Sequence, residues 1–329
     1  MKVILLGKGK MLANIIESAI ESGVEIAGVF RYERMALPLH KRIFHDLFKT
    51  SYDLTLIKKY KLPEINCKSA NSDKFKKYIL KTNADIIIVS TWKEKLSPEI
   101  IKMPKIGTVN LHPSLLPRYR GPNPYMQVIK RGEKKTGITL HLMDENFDTG
   151  AVLLQKEIDI LPNDTGKELR ERTFTAARGL ISEFLKKIQN EVIIPIKQNE
   201  SRASYFGNIN SDEKMLDFTK MTAVEMSAHI RALHPWLPCY ITVGNQFLKV
   251  NPHKLKILKS SSYKDKAGEI LDKDEKLRSL TIICKNNSAL KMDDLNLYNV
   301  WLRPFTKFFI KRINISKSNR QGFSSHSPG

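Results

Sequence analysis

An α/β fold is expected: a Rossmann-like domain built on a parallel sheet, then a small β-rich domain with an OB-like pattern. Three observations predict it. The chain opens strand, tight turn, amphipathic helix, strand, the β-α-β unit that implies a parallel sheet covered by helices. Asp85 to Ser90, "DIIIVS", is the continuous apolar run of a strand buried on both faces. Beyond residue 213 the pattern changes to short strand-like runs separated by turn residues.

In chain order, "KVILLG" is the first strand, and Met11, Leu12, Ile15, Ile16, Ala19 and Ile20 recur at helical spacing before the second strand, "VEIAGVF". The turn Gly7-Lys8-Gly9-Lys10 departs from G-x-G-x-x-G because position 12 is Leu, so its glycines read as a tight turn. A charged helix, "SDKFKKYILKTN", precedes "DIIIVS"; "TVNLH" and "GITLHLM" supply further strands, and "AVLLQKEIDI" alternates as another. Asp164 or Thr165 is placed to cap the helix through "KELRERTFTAARGLISEFLKKIQ". These elements give a first domain over 1–195. The polar stretch 196–212 reads as a linker. A helix, "TAVEMSAHIRAL", and strands "CYITVG", "QFLKV", "GEILD" and "SLTIIC" fill a second domain, 213–302, whose pattern fits a small barrel or a sandwich. The rest, 303–329, has the Ser, Gly and Asn content of a partly disordered tail.

The net charge of +21 suits an anionic partner, although a solvated lysine-rich surface accounts for much of it. Six basic and no acidic residues lie between Arg303 and Arg320. No apolar run approaches the roughly 18 to 20 residues of a membrane span, and the N-terminal run is too short for a secretory core. A cytoplasmic protein without a membrane partner is expected; the sequence does not reveal an oligomeric state. Cys67, Cys239 and Cys284 are far apart, lack C-x-x-C spacing and sit in or beside apolar stretches, so buried structural thiols, a reducing compartment and no metal site are expected.

The chemistry concentrates in "VNLHPSLLPRYRGPNP", Val109 to Pro124. On a strand, Asn110 and His112 are two apart and share a face, and ligands of open α/β sheets bind at the carboxyl edge. A neutral His exchanges protons near pH 7, and an Asn amide donates to an oxygen gaining negative charge. Such chemistry also wants a carboxylate, and "MDENFDTG" offers Asp144, Glu145 and Asp148; Asp148, in the turn Asp148-Thr149-Gly150, is the choice. Ser114, Arg118, Arg120 and Gly121 are candidate substrate contacts, the arginines equally able to cover the surface; His141, in mid-strand, reads as a packing residue.

"NLHPSLLPRYRGPNP" together with "KTGITLHLMDENFDTGAVLLQ" closely resembles the folate-dependent formyltransferases, which include methionyl-tRNA and sugar N-formyltransferases. The resemblance covers Met1 to about Gln189, is strongest from Gly107 to Gln155, and extends loosely into "DFTKMTAVEMSAHIRALHPW". It implies a formyl-transfer domain in which 10-formyltetrahydrofolate is the donor and an amine the acceptor, without a metal. By the same resemblance Asn110 stabilises the oxyanion, His112 assists proton transfer, and Asp148 handles protons and orients the His. The pteridine pocket would draw on Ser90, Thr91, Trp92 and Leu96, and on Met143, Asp144 and Phe147.

Methionyl-tRNA is the expected acceptor, with a nucleotide-linked amino sugar as the alternative. Less weight falls on a hydrolase releasing formate from the same folate, or on a nucleic-acid-binding protein without catalysis. Members of the family acting on initiator tRNA typically carry a Gly- and Lys-rich loop after the second strand, whereas Arg31 to Ile65 contains no glycine. Arg31, Arg34, Lys41 and Arg42 are the residues there that would contact phosphate.

Overall fold

The computed structural model describes residues 1–36, 51–243, 246–258, 266–274 and 278–297. They form two units: 1–124, 135–159 and 170–207 in the first, and 125–134, 160–169 and the residues from 208 on in the second.

The first unit starts with β1 (Lys2–Gly7), α1 (Gly9–Glu21), β2 (Glu25–Arg31), α2 (Tyr32–Ala36) and α3 (Tyr52–Lys59). It continues with α4 (Asp73–Thr82), β3 (Ile86–Val89), α5 (Pro98–Lys102) and β4 (Gly107–His112). Beyond α6 (Pro124–Lys130), all but its first residue in the second unit, come β5 (Lys135–Leu142), β6 (Val152–Asp159) and the long α7 (Gly166–Asn190), which joins the first unit from residue 170. Helix starts follow local chemistry. Ser72 and Ser97 each accept a backbone N–H to cap α4 and α5, and Thr165, as expected, accepts from the Lys167 N–H at the head of α7.

The six strands are ordered β2-β1-β3-β4-β5-β6. The first four are parallel; β5 runs antiparallel to β4 and β6 antiparallel to β5. The expected Rossmann-like parallel sheet is present, extended by two antiparallel strands; β5 and β6 are joined by a turn too short for a parallel crossover.

Alternation along each strand divides the core. Val3, Leu5, Ile86, Ile88, Val109 and Leu111 pack with α1 and α7, whereas Ile4, Leu6, Ile87 and Val89 pack with Phe75 and Ile79 of α4 and with Ile100 and Ile101 of α5. Burial on both faces is what makes these strands apolar without interruption. Asn110 stands in register with Val89, on the face that carries α4 and α5.

Residues 196–207, expected as a linker, belong to the first unit. Ile196 and Val152 exchange both backbone hydrogen bonds at 2.8 Å, Tyr205 bridges to Arg120, and Gln198 is buried. Of the segment's polar side chains, Gln198 and Glu200 pair with Arg120, Gln198 also with the Asp148 and Gly150 carbonyls, and Ser204 with the Tyr119 N–H.

The second unit holds α8 (Ala223–Leu233), started by a capping box between Thr222 and Glu225. Its strands are β7 (Tyr240–Val243), β8 (Gln246–Lys249), β9 (Leu255–Leu258), β10 (Ile270–Asp274), β11 (Ser279–Cys284), β12 (Ser288–Met292) and β13 (Asn296–Leu297). Among the described residues they form two antiparallel sheets, β10-β11-β12-β9 and β13-β8-β7. β9, β12 and β13 were not legible in sequence: they are short, and Lys or Asn interrupts their apolar pattern.

The three cysteines are buried and free, and burial pushes the Cys239 and Cys284 thiols up to about 12. No helix among the described residues is long and apolar enough to cross a membrane. The tail 303–329 lies outside the described residues.

Gly137 of β5 supports the loop after β4. A Cβ there would come within 2.3 Å of Leu115 Cδ2 and 2.4 Å of the Lys156 carbonyl. Gly137→Val is therefore expected to cost about 1–3 kcal/mol, as overpacking does. An unchanged urea midpoint would show that the loop yields instead.

Candidate active site

β4 and β5 set the site. Register pairs Asn110 with His141 and His112 with Thr139. The turn after β5 folds back so that Asp148 meets both β4 residues. His112 Nδ1 lies 3.3 Å from Asp148 Oδ1, and Asn110 Nδ2 donates to the same oxygen at 3.4 Å. The other carboxylate oxygen accepts the Gly121 N–H at 2.9 Å. His112 Nε2 lies 2.9 Å from the Tyr119 carbonyl. The three residues chosen from the sequence thus converge around one buried carboxylate.

The turn is built for this. Asp144 Oδ1 accepts from the Asn146 N–H at 3.0 Å and the Thr149 hydroxyl at 2.6 Å, closing the loop on itself. Asp148 has φ +60°, a left-handed conformation that Asp tolerates better than most side chains. Gly150 is required by space, since a Cβ would lie 1.9 Å from the Leu142 carbonyl. Gly121, at φ +93°, is confined in the same way: its Cβ would come 2.4 Å from the Phe206 carbonyl.

Burial raises the Asp148 carboxyl, but His112, His141 and the Gly121 N–H together outweigh it and hold the group at about 2. His112, 5 % exposed, goes the other way: burial lowers its pKa, and Asp148 and the Tyr119 carbonyl recover only part of the loss. At neutral pH the carboxylate is ionised, beside an imidazole whose proton affinity burial lowers and Asp148 partly restores.

Beside this centre a cleft of about 380 Å³ is lined by Pro98, Ile101 and Lys102 of α5 and by Met143 to Asn146 of the turn. Met143 and Asp144, named from the sequence as pteridine contacts, line it. Phe147 is exposed on the same turn, with the Lys95 ammonium 5.7 Å from its ring centre. Leu96 packs in the core beside Ile100.

Ser90, Thr91 and Trp92 follow the end of β3, where Val89 stands in register with Asn110, and the Ser90 N–H donates to the Leu6 carbonyl of β1 on the other side. Thr91 pairs with the Lys8 backbone, Trp92 sits edge-on to Phe30 and Tyr32, and the Ser90 hydroxyl and Trp92 indole N–H are buried without partners. Sequence reasoning missed Pro98, Ile101 and Lys102 of α5 as lining residues.

The other candidates have protein partners. The Ser114 hydroxyl donates to the Arg118 carbonyl. Arg118 is exposed, its guanidinium 5.3 Å from the Tyr119 ring centre. Arg120 is buried, forked onto Glu200 at 2.7 and 2.8 Å and onto Gln198. Gln198 in turn donates to the carbonyls of Asp148 and Gly150. Arg120 thus braces the Asp148 turn from behind, a role invisible in sequence because Gln198 lies 50 residues from Asp148.

Arg31, expected at phosphate, is fully buried, with Nε 3.5 Å from Asp53 Oδ2 and Nη1 3.4 Å from Glu64. That ion pair occupies the fork that phosphate would need. Lys41 and Arg42 lie outside the described residues.

A mixed α/β sheet with an Asn, His and carboxylate centre at a strand end defines an acyl-transfer enzyme. The sequence matches the formyl transferase family over residues 1–185 and its C-terminal domain over 208–299, so the chain belongs to the formyl transferase family. It is a formyl-transferring enzyme. A methionyl-tRNA formyltransferase of Bacillus mycoides is 30% identical over 76% of this chain and 78% of its own. One from Thermotoga maritima is 30% identical over 67% and 69%. The fold is shared with an N-formyltransferase of Helicobacter canadensis solved with folinic acid and dTDP-3-aminofucose, with TM-score 0.67 and 19% identity over 91% of this chain and 100% of that one.

Because the Asp148 pKa falls from 3.8 to about 2 on folding, its stabilisation is complete above pH 4 and is lost as pH drops through 2. The contribution is about 2 kcal/mol at neutral pH. Asp148→Asn should lack that pH-dependent loss in urea titrations between pH 4 and 2, and parallel curves for variant and wild type would contradict the assigned environment.

Proposed function

We propose that the enzyme transfers the formyl group of 10-formyltetrahydrofolate to a primary amine, and that the amine is that of methionyl-tRNA. The observation that carries the chemistry is the convergence of Asn110, His112 and Asp148 on one buried centre. We assign the pteridine to the cleft along the same turn, where Pro98, Ile101 and Met143 supply apolar surface and Asp144 to Asn146 supply polar groups.

In this reading the acceptor nitrogen attacks the formyl carbon and its carbonyl oxygen gains charge. Asn110 donates to that oxygen. His112 takes the proton leaving the amine. Its ring faces an oxygen at each nitrogen, Asp148 at Nδ1 and Tyr119 at Nε2, so both N–H groups of the protonated form find an acceptor. The tetrahedral intermediate collapses with cleavage of the bond to N10 of the folate, which leaves as tetrahydrofolate once N10 is protonated.

Methionyl-tRNA is supported by the relatives, which match this chain through both family domains, and by the charge of +21. A nucleotide-linked amino sugar is the second reading. The specific observation in its favour is Arg31, buried with Asp53 at the head of the glycine-free segment and so removed from any phosphate contact there.

Formyl transfer from 10-formyltetrahydrofolate, offered charged initiator tRNA in one reaction and nucleotide-linked amino sugars in others, decides the acceptor. With tRNA, binding should weaken steeply with salt as phosphate contacts release counterions; a shallow dependence points to the sugar. Asn110→Ala should lower kcat about 10²- to 10³-fold, the effect of an oxyanion donor. His112→Ala should lower it about 10²-fold or more, as for a proton-transfer group. Turnover near wild type in either variant removes that residue from the mechanism.

A further inference from the structure

We infer that His141 is a positioning residue that sets the orientation of the Asn110 carboxamide; this rests on the reading of Asn110 as the donor to the formyl oxygen. His141 is 2 % exposed and stands directly opposite Asn110 in the β4–β5 ladder. Its two ring nitrogens meet different chemistry. Nδ1 lies 2.7 Å from the Leu142 carbonyl, an acceptor, so Nδ1 carries the proton. Nε2 lies 3.2 Å from Asn110 Nδ2 and in that tautomer offers its lone pair. Asp148 Oδ1, at 3.7 Å from Nε2, is beyond hydrogen-bond length.

An amide end that meets both a lone pair on Nε2 and the ionised Asp148 carboxylate must be the NH2 end. The reversed amide would set its oxygen against two acceptors, leaving three groups that cannot pair. The Leu142 carbonyl, through the tautomer of His141, therefore keeps the NH2 end of Asn110 toward Asp148, where one N–H stays on His141 Nε2 and the other exchanges its 3.4 Å Asp148 contact for the formyl oxygen. Without that dictation the donor and acceptor ends of an amide are nearly the same shape, and the wrong end repels a developing oxyanion. His141 needs no contact with either substrate to do this.

Gln and Asn separate the two halves of the imidazole. A Gln at 141 can place an acceptor oxygen near the position of Nε2, whereas an Asn reaches only the position of Nδ1 and Leu supplies neither. His141→Asn and His141→Leu are expected to lower kcat about 10- to 100-fold, the scale of a mispositioned catalytic group, with KM for the folate within about threefold. His141→Gln should recover most of the turnover. A residue that merely fills space would behave otherwise: Leu or Asn as active as Gln, or all three within threefold of wild type, overturns the inference.

A second readout does not depend on turnover. The long-range ¹H–¹⁵N spectrum of the full chain at pH 7.5 should show His141 protonated at Nδ1, and the Asn110 side-chain amide signals should move in His141→Leu and move back in His141→Gln. A ring protonated at Nε2, or an Asn110 amide indifferent to the substitutions, overturns it. Absence of formyl transfer by wild type to every acceptor, with those spectral results intact, would instead count against the proposed reaction and leave the contact standing.

Discussion

The active centre hangs on one buried carboxylate. Asp148 is 11 % exposed, and an ionised group so placed is tolerable only because its oxygens are shared among His112, Asn110 and the Gly121 N–H. The partners come from strand β4 and from the loop that follows it, and the carboxylate itself from the turn after β5. The carboxylate therefore ties three segments together while adjusting the proton affinity of one of them. Its own pKa is held low by these contacts, and the proton affinity of His112 is lowered by the burial that makes them necessary.

Holding a charged side chain at a left-handed residue requires support from outside the turn. Asp144 closes the loop from within, and Gln198 grips its backbone at Asp148 and Gly150, itself oriented by Arg120. The arginine of the conspicuous P-R-Y-R-G-P stretch is thus part of the scaffold. Preorganisation of this kind is what the proposed formyl transfer calls for, because donors must already point at the oxyanion's position when charge develops there. The segment that supplies Gln198 runs along the edge of β6 before the chain enters the second unit at residue 208, so the catalytic turn is braced by the last stretch of its own unit.

The fold was largely legible because its signals are local. The β-α-β opening, the doubly buried run at Ile86 to Val89 and the long helix after Thr165 follow from periodicity and capping alone, and each lies where the pattern put it. The antiparallel direction of β5 and β6 was not legible because an apolar strand looks the same in either direction. In the second unit, β9 and β12 were missed because their faces carry lysines that a strand tolerates at an exposed position. Residues 196–207 were read as a linker because polarity in sequence does not reveal whether water or protein satisfies the groups.

The sequence by itself determined the chemical inventory: Asn110 and His112 share a face because strand side chains alternate, and Asp148 sits in a turn because Thr149 and Gly150 follow it. Only the tertiary structure decided what those groups do to one another. Opposite register placed His141 against Asn110, folding of the turn brought Asp148 onto both, and burial of Arg31 and Arg120 took two cations from candidate substrate contacts into the framework. The reason is physical: spacing along a chain sets direction and face, whereas hydrogen-bond partners, proton affinities and the availability of a charge depend on distances between segments far apart in sequence, which only packing fixes.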